Sequence, residues 1–137
     1  MKNVYLAAPL FSEAECDFNR RLRDNIIDRG FRVFLPQEDS NNIKDVTNRQ
    51  EIIFRKNCAA IDNSDIIVTV IDGADVDSGT AWEIGYAYSK GKTILGVRTD
   101  FRTLGIEGRV NLMIERSLLL FENISELLNH LESIGNI

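Results

Sequence analysis

The amino-acid sequence predicts an α/β fold, a doubly wound three-layer sandwich around a five-stranded parallel sheet. Short apolar runs alternate with longer amphipathic segments along the whole chain, a pattern typical of βαβ units. In the run Asp65–Ile71 every residue after the aspartate is β-branched, as expected of a strand buried on both faces in mid-sheet. No linker, internal repeat or low-complexity tract interrupts the 137 residues, so we expect one domain over residues 1–137.

The first βα unit is marked by its capping residues. Val4–Ala8 is predicted as strand one, and residues 9–11 as a turn. Ser12, with Glu15 three residues later, forms a capping box that begins a helix. Gly30 ends this helix, and apolar residues at spacing four give it one buried face: Ala14, Phe18, Leu22 and Ile26.

The later elements continue the alternation of strand and helix. Phe31–Leu35 is predicted as strand two, ended by Pro36, and the polar segment 37–45 as a loop. A second helix is predicted over residues 46–62, and an acidic loop over 72–79 follows the central strand. The remaining predictions are a helix over Thr80–Ser89, strands over Thr93–Val97 and Ser117–Phe121, and a closing helix over Asn123–Ile134.

Composition excludes several kinds of protein and of active site. His130 is the single histidine, which argues against a multi-histidine zinc site or a Ser-His-Asp triad. Cys16 and Cys58 form no C-x-x-C pair, and with no signal peptide they indicate a cytoplasmic protein. No apolar run approaches a membrane span of about 20 residues. The net charge of −5 disfavours binding to a nucleic-acid polymer, and the absence of G-x-G-x-x-G disfavours a dinucleotide cofactor.

The acidic residues after the central strand are the main candidates for chemistry. Ligands of doubly wound sheets bind at the carboxyl ends of the strands, so we expect the loops after Ala8, Leu35, Ile71 and Val97 to line the site. Glu83 follows the third of these loops and is surrounded by apolar and aromatic residues, where a carboxylate is costly unless it is used. The alternative is a solvated first-turn acid that only favours the helix dipole.

Several segments, in this order, resemble the nucleoside 2-deoxyribosyltransferase family. They are Tyr5–Phe11, the block Asp77-x-Gly79-Thr80-x-x-Glu83-x-Gly85-Tyr86-Ala87, Gly91-Lys92 and Asn111-Leu112-Met113. The resemblance runs from Tyr5 to Phe121 and implies a flavodoxin-like, or Rossmann-like, sandwich. It also implies that 2-deoxyribosyl groups are transferred between the bases of 2'-deoxynucleosides, with deoxynucleosides and free nucleobases as partners and without metal or cofactor.

The resemblance also implies roles for individual residues. Glu83 matches the nucleophile that takes the sugar as a covalent ester, and Tyr5 matches the tyrosine that orients it. Asp77 matches a carboxylate that contacts the deoxyribose and assists near the base. Gly79 belongs to the same block and is expected at the substrate. Asn111 matches an asparagine inserted into the site of a neighbouring subunit, which implies a homo-oligomer.

Two positions depart from the family, and the smaller change is Ala8, which stands where a glycine is common and narrows the backbone approach beside the substrate. Asn57 stands where many members carry an acid, and an amide can hydrogen-bond a base but cannot deliver a proton at neutral pH. Protonation of the leaving base is then left to Asp77, to Asp72 or to water.

The aromatic and amide residues near the base are assigned from their loops. Phe11 is the candidate for stacking on the base, and Gln37 for a base or sugar contact. The remaining aromatic residues of this region, Trp82, Tyr86 and Tyr88, are expected in the core because they share a helix with Ile84.

Two other functions stay open at this point. Relatives of the family include hydrolases of deoxynucleoside 5'-monophosphates, and Arg98 or Arg102 can serve as the phosphate-binding cation that such a substrate needs. Alternatively, the chain is a small-ligand sensor or interaction module in which Glu83 is only a helix-terminal acid.

Overall fold

The described residues form five strands and six helices, with one or two helices after each strand. The computed structural model describes residues 1–44, 47–106 and 108–135. The strands are β1 (Asn3–Ala7), β2 (Arg32–Phe34), β3 (Ile66–Val70), β4 (Thr93–Val97) and β5 (Leu119–Phe121). The helices are α1 (Glu13–Asp28), α2 (Pro36–Asp39), α3 (Arg49–Asp62), α4 (Ser78–Ser89), α5 (Leu112–Glu115) and α6 (Ile124–Gly135).

The five strands form one parallel sheet in the order β2-β1-β3-β4-β5. This is the flavodoxin-like order, and it confirms the predicted doubly wound fold. The chain runs outward from β1 to β2 and then returns past β1 to β3, so the strand order reverses between β1 and β3. β3 is buried along its whole length, as its β-branched sequence predicts.

Alternating residues of β1 belong to opposite layers. Leu6 packs in the core with α1 and α6, whereas Tyr5 packs in the core with α3 and α4. Successive side chains of a strand point to opposite faces, so this period of two places Tyr5 under α4. The helices therefore cover both faces of the sheet and complete the three layers.

Two short helices were not predicted. Residues 36–39 were expected in a loop, but Pro36 is suited to the first position of a helix, and α2 begins there. α5 follows Asn111, whose side chain caps it by accepting a hydrogen bond from the Met113 amide at 2.9 Å. Four-residue helices leave no periodic pattern, so only their capping residues signal them.

Other boundaries differ by a few residues. The helix predicted over 46–62 begins at Arg49, and the predicted start at residue 46 lies outside the described residues, as does residue 45 of the predicted loop. The capping box of Ser12 and Glu15 is present, and β4 has its predicted bounds. Within the described parts of the chain, no helix is long and apolar enough to cross a membrane.

Candidate active site

A carboxylate and a phenol meet at the point where the strand order reverses. The Tyr5 hydroxyl donates a hydrogen bond to Oε2 of Glu83, which joins β1 to the first turns of α4. Tyr5 is fully buried, and its ring stacks on Phe34 with the centroids 5.6 Å apart. The stacked ring and the hydrogen-bonded hydroxyl together fix the Tyr5 side chain, which in turn orients the Glu83 carboxylate.

Asp77 lies beside this pair as the N-cap of α4. Its Oδ2 accepts hydrogen bonds from the Thr80 amide at 2.9 Å and from the Thr80 hydroxyl at 3.0 Å. An N-cap carboxylate of this kind satisfies the free amides of the first turn. The cap fixes where α4 begins, and thereby places Glu83 one and a half turns further along the helix.

The environment of Glu83 favours its neutral form. Burial raises the pKa of Glu83 to about 7, the negative charge of Asp77 adds to this rise, and the hydrogen bond from Tyr5 opposes it. Burial, followed by the charge of Glu83, also raises the pKa of Tyr5 well above its usual range, so the phenol keeps its proton. Near neutral pH the site thus holds a poorly solvated carboxylate with a permanent donor, which is the state expected of a nucleophile or a base.

Glu83 opens into a cavity of about 320 Å³ whose walls are faces of two helices. One wall is the face of α3 formed by residues at helical spacing, namely Phe54, Asn57, Cys58 and Ile61. The start of α4 forms the adjoining wall, with Asp77, Gly79, Thr80, Trp82 and Glu83. Segments after β1 and β2 close the ends with Ala8, Leu10, Phe11, Pro36 and Asn41.

Asn57 has an unused acceptor in this cavity. Its Oδ1 is buried and makes no hydrogen bond, and a buried polar atom without a partner costs about 1–3 kcal/mol. A ligand that donates to this oxygen would recover that cost. The neighbouring thiol of Cys58 has a raised pKa, chiefly because it is buried and also because Asp62 and Glu83 are near, so it stays neutral.

Among the described residues that line this cavity, two are carboxylates and none is a lysine or arginine. The two arginines considered for phosphate binding are engaged elsewhere. Arg98 is buried and donates to the Ile71 carbonyl at 2.6 Å and to the Arg102 carbonyl at 2.9 Å. Arg102 pairs with Asp100 at 2.5 Å. The cavity therefore suits a neutral or cationic ligand better than an anion.

Two other cavities lack this chemistry. The larger one, about 530 Å³, is bordered by β1, β2 and α3, and Glu83, Asp77 and Asn57 do not line it. The smaller one, about 250 Å³, lies at the start of α1 and includes Asp72. Volume alone would select the first of these, but the perturbed carboxylate and the unpartnered amide lie in the cavity of Glu83, which we take as the candidate active site.

Besides Tyr5, which is buried beneath Glu83, three of the sequence-predicted site residues do not line this cavity. The Gln37 amide is already paired, donating to the Cys16 carbonyl at 3.0 Å and accepting from Asn19 at 2.9 Å. Asp72 accepts from the amide and hydroxyl of Thr99, both at 2.6 Å, and from the Asp100 amide at 2.9 Å. Asn111 caps α5 and does not line the cavity of its own chain.

The structure also adds residues that the sequence interpretation overlooked. Phe54 and Trp82 line the cavity and are about half exposed, at 52% and 48%. The expectation that Trp82 and Tyr88 lie in the core is wrong, since Tyr88 is 61% exposed. The spacing of Phe54, Asn57 and Ile61 on one helix face was the available signal for a cavity wall, but the same spacing is equally typical of an ordinary buried face.

The fold and site together define a class: doubly wound α/β proteins with a partly buried glutamate, held by a tyrosine, at the point where the strand order reverses. The family model for nucleoside 2-deoxyribosyltransferases matches residues 4–123. The chain belongs to this family, and its enzyme type is that of a deoxyribosyltransferase.

Solved structures agree with this assignment. A 2-deoxyribosyltransferase from Bacillus psychrosaccharolyticus is 28% identical, with 93% of this chain and 90% of that chain covered and a TM-score of 0.82. A conserved protein from Enterococcus faecalis V583 is 27% identical over 98% and 99% of the two chains, with a TM-score of 0.84.

A 2-deoxyribosyltransferase from Leishmania mexicana shares the fold, with 22% identity over 97% and 98% of the two chains and a TM-score of 0.78. No curated protein matches the chain at a significant level.

Proposed function

We propose that this enzyme transfers the 2-deoxyribosyl group between the bases of 2'-deoxynucleosides through a covalent ester on Glu83. The observation that carries the proposal is the Glu83 carboxylate itself, poorly solvated, held by Tyr5 and open to the cavity beside Asp77. Such a carboxylate is suited to attack an electrophilic carbon.

The reaction resembles that of a retaining glycosidase. A Glu83 oxygen bonds to C1' of the sugar as the C1'–N bond to the base breaks, and the base leaves with the electron pair of that bond. A second base then attacks C1', and the ester oxygen of Glu83 leaves with its electrons. The transition state has oxocarbenium character, so the negative charges of Glu83 and Asp77 both stabilise it.

The surrounding residues suit a neutral nucleoside. Asp77 is proposed to bind the deoxyribose, with Gly79 beside it. Asn57 and Phe11 are proposed to contact the base, because both line the cavity and the Asn57 acceptor is unused. Gln37 and Asp72 remain candidates for substrate contact only if the hydrogen bonds they now make are exchanged for others.

Protonation of the leaving base needs a group other than Asn57. A carboxamide cannot release a proton at neutral pH. Asp77 and water are the sources that the cavity offers, while Asp72 lines a different cavity and would have to be rearranged to reach the base.

The runner-up substrate, a deoxynucleoside 5'-phosphate that is hydrolysed, fits this chain less well. A phosphate carries two negative charges near neutral pH and needs cations or free amides. The described lining of the cavity offers two carboxylates and no cation, and Arg98 and Arg102 are already paired.

Asn111 is proposed to complete the site of a second copy. It lies at the start of α5 beside Leu112 and Met113, which are 49% and 71% exposed. Apolar side chains exposed next to this asparagine are consistent with a contact between subunits. We therefore propose a homo-oligomer, and we expect sedimentation equilibrium to give a mass above 15.5 kDa. We also propose that each chain forms one domain and that the enzyme is cytoplasmic.

A two-substrate assay tests the reaction. Incubation of the enzyme with deoxyinosine and free adenine should produce deoxyadenosine and hypoxanthine. Without adenine, hypoxanthine should appear far more slowly. If deoxyribose is released at the same rate with and without an acceptor base, the enzyme is a hydrolase and the transfer proposal is wrong.

A mass measurement tests the intermediate. Rapid acid quench of the enzyme with deoxyinosine alone should yield a protein carrying one deoxyribosyl group, mapped by peptide analysis to Glu83. Glu83→Gln is the matched control, and it should carry none. An adduct on another residue, or its persistence in Glu83→Gln, would contradict the assigned nucleophile.

A further inference from the structure

An aromatic column on the surface of α3 and α4 borders the candidate active site. Trp82 stacks on Tyr86 with the ring centroids 5.3 Å apart and the planes 10° apart, and Phe54 meets Trp82 at 5.4 Å with an angle of 59°. Phe54 and Trp82 line the cavity, each with about half its surface exposed. Contiguous exposed aromatic side chains at a cavity are typical of a ligand-binding groove.

Tyr86, which follows Trp82 in the column, makes two further side-chain contacts. The Tyr86 hydroxyl donates to Asp62 at 2.8 Å, and the Lys90 ammonium lies 5.2 Å from the centre of the Tyr86 ring. These contacts fix Tyr86, and the stack then limits the positions open to Trp82. A rigid aromatic surface binds a flat ligand with little further loss of conformational freedom.

Helical spacing puts this surface beside the reacting groups. Phe54 lies three residues before Asn57 on the cavity face of α3, and Trp82 directly precedes Glu83 at the start of α4. A base bonded to the sugar carbon that Glu83 attacks, and hydrogen-bonded to Asn57, would therefore lie within reach of both rings.

We propose that Phe54 and Trp82 form the base-stacking surface of this enzyme and favour purines over pyrimidines. This inference rests on the proposed function. Stacking increases with the overlapped ring area, so a bicyclic purine gains more from the pair than a single pyrimidine ring does. Phe11, at the opposite end of the cavity wall, is then a second contact rather than the main one.

Fluorescence gives a direct readout, because Trp82 is the single tryptophan in the chain. Free adenine and free thymine are the probes, since neither reacts in the absence of a sugar donor. Adenine should change the Trp82 emission with a saturation midpoint equal to the dissociation constant measured by equilibrium dialysis. Thymine should bind more weakly and change the emission less.

Substitutions separate stacking from general damage. Phe54→Ala and Trp82→Ala should each weaken adenine binding about tenfold, and thymine binding about threefold or less. Trp82→Phe keeps a ring and should recover most of the adenine affinity. Tyr88→Ala is the matched control, because Tyr88 is exposed on the same helix and does not line the cavity.

Each other outcome contradicts the inference in a distinct way. Adenine that binds by dialysis without changing Trp82 emission, or equal losses for adenine and thymine, would overturn the stacking surface and leave the proposed function intact. If Trp82→Ala only lowers the sedimenting mass and leaves adenine affinity unchanged, the aromatic pair is an interface between copies. If neither base binds wild-type enzyme, the stacking surface is wrong, and the proposed function fails with it only if no deoxyadenosine forms from deoxyinosine and adenine.

Discussion

Two carboxylates that follow β3, Asp72 and Glu83, show how differently one sheet edge can use the same functional group. Asp72 accepts three hydrogen bonds from Thr99 and Asp100, and so ties the loop after β3 to the loop after β4. Glu83 accepts one, from Tyr5, and burial brings its pKa to about 7. A carboxylate with many donors holds structure, whereas one with few donors and little water keeps its reactivity.

The largest expected difference between the two acids is catalytic. Glu83→Gln preserves the volume and the acceptor for Tyr5 but removes the nucleophile, so we expect the transfer rate to fall by about 10³-fold or more. Asp72→Asn should keep transfer within about fivefold, since it lies outside the cavity. Initial rates of deoxyadenosine formation from deoxyinosine and adenine measure both. Comparable losses of transfer rate in the two variants would contradict the proposed difference between the two acids.

The two substitutions should affect the free energy of unfolding in the opposite order, with Asp72→Asn the more damaging. The pKa of Glu83 is about 7 in the folded chain against an ordinary 4.5, so between these values the folded state binds more protons than the unfolded state. Stability conferred by this group is present below pH 4.5 and is lost as pH rises through 7. Glu83→Gln does not titrate, and at pH 8.5 we expect it to be about 2–3 kcal/mol more stable than wild type.

Urea unfolding at pH 8.5 and pH 4.5 checks this expectation. The gain in Glu83→Gln should shrink strongly at pH 4.5, where wild-type Glu83 is protonated too. Asp72→Asn should lose about 1–2 kcal/mol at pH 8.5 because an amide cannot satisfy all three donors. A gain in Glu83→Gln that is equal at both pH values would show that burial does not perturb this carboxyl.

Removing the single donor to Glu83 gives a smaller effect that depends on pH. Tyr5→Phe keeps the stack on Phe34 and deletes the hydrogen bond that lowers the Glu83 pKa, so this pKa should rise further above 7. We expect kcat/KM to fall about tenfold at pH 7 and to recover largely by pH 9. The readout is the acid limb of the pH profile. A loss that is uniform across pH would assign Tyr5 a merely structural role.

The smallest effect is expected from adding an acid. Asn57→Asp adds a third carboxyl to the cavity, beside Glu83 and Asp77, and below pH 6 we expect a few-fold gain in kcat for deoxynucleosides with poorly leaving bases. Asn57→Leu is the control of similar size without hydrogen bonding, and it should raise KM. If Asn57→Asp and Asn57→Leu behave alike, Asn57 does not contact the base.

Much of the fold follows from local pattern. A continuous β-branched run predicts β3, the capping box of Ser12 predicts the start of α1, and the alternation of elements predicts a parallel doubly wound sheet. α2 and α5 were missed because a single turn has no periodicity, and the residues that begin them, Pro36 at the first position of α2 and Asn111 as the cap of α5, are also common in loops.

The sequence predicts which site residues lie near one another along the chain, but not which distant residues they hydrogen-bond. Asp77, Gly79 and Glu83 lie within seven residues on one capped helix, so their proximity follows from the sequence. The loop prediction grouped Asp72 with them, whereas the structure places Asp72 at a different cavity, where it is hydrogen-bonded to the loop after β4. Which residue of a loop faces which layer depends on tertiary hydrogen bonds, which local sequence does not encode.

The sequence by itself determined the order of elements, the acid-rich end of β3 and the carboxylate chemistry open to a chain with one histidine. Tertiary structure alone decided which acid is poorly solvated and has a raised pKa. The Tyr5–Glu83 hydrogen bond joins residues 78 apart, and the burial that raises the Glu83 pKa comes from packing β1, α3 and α4 together. Solvation and donor number are properties of the assembled fold, since they arise from contacts distant along the chain.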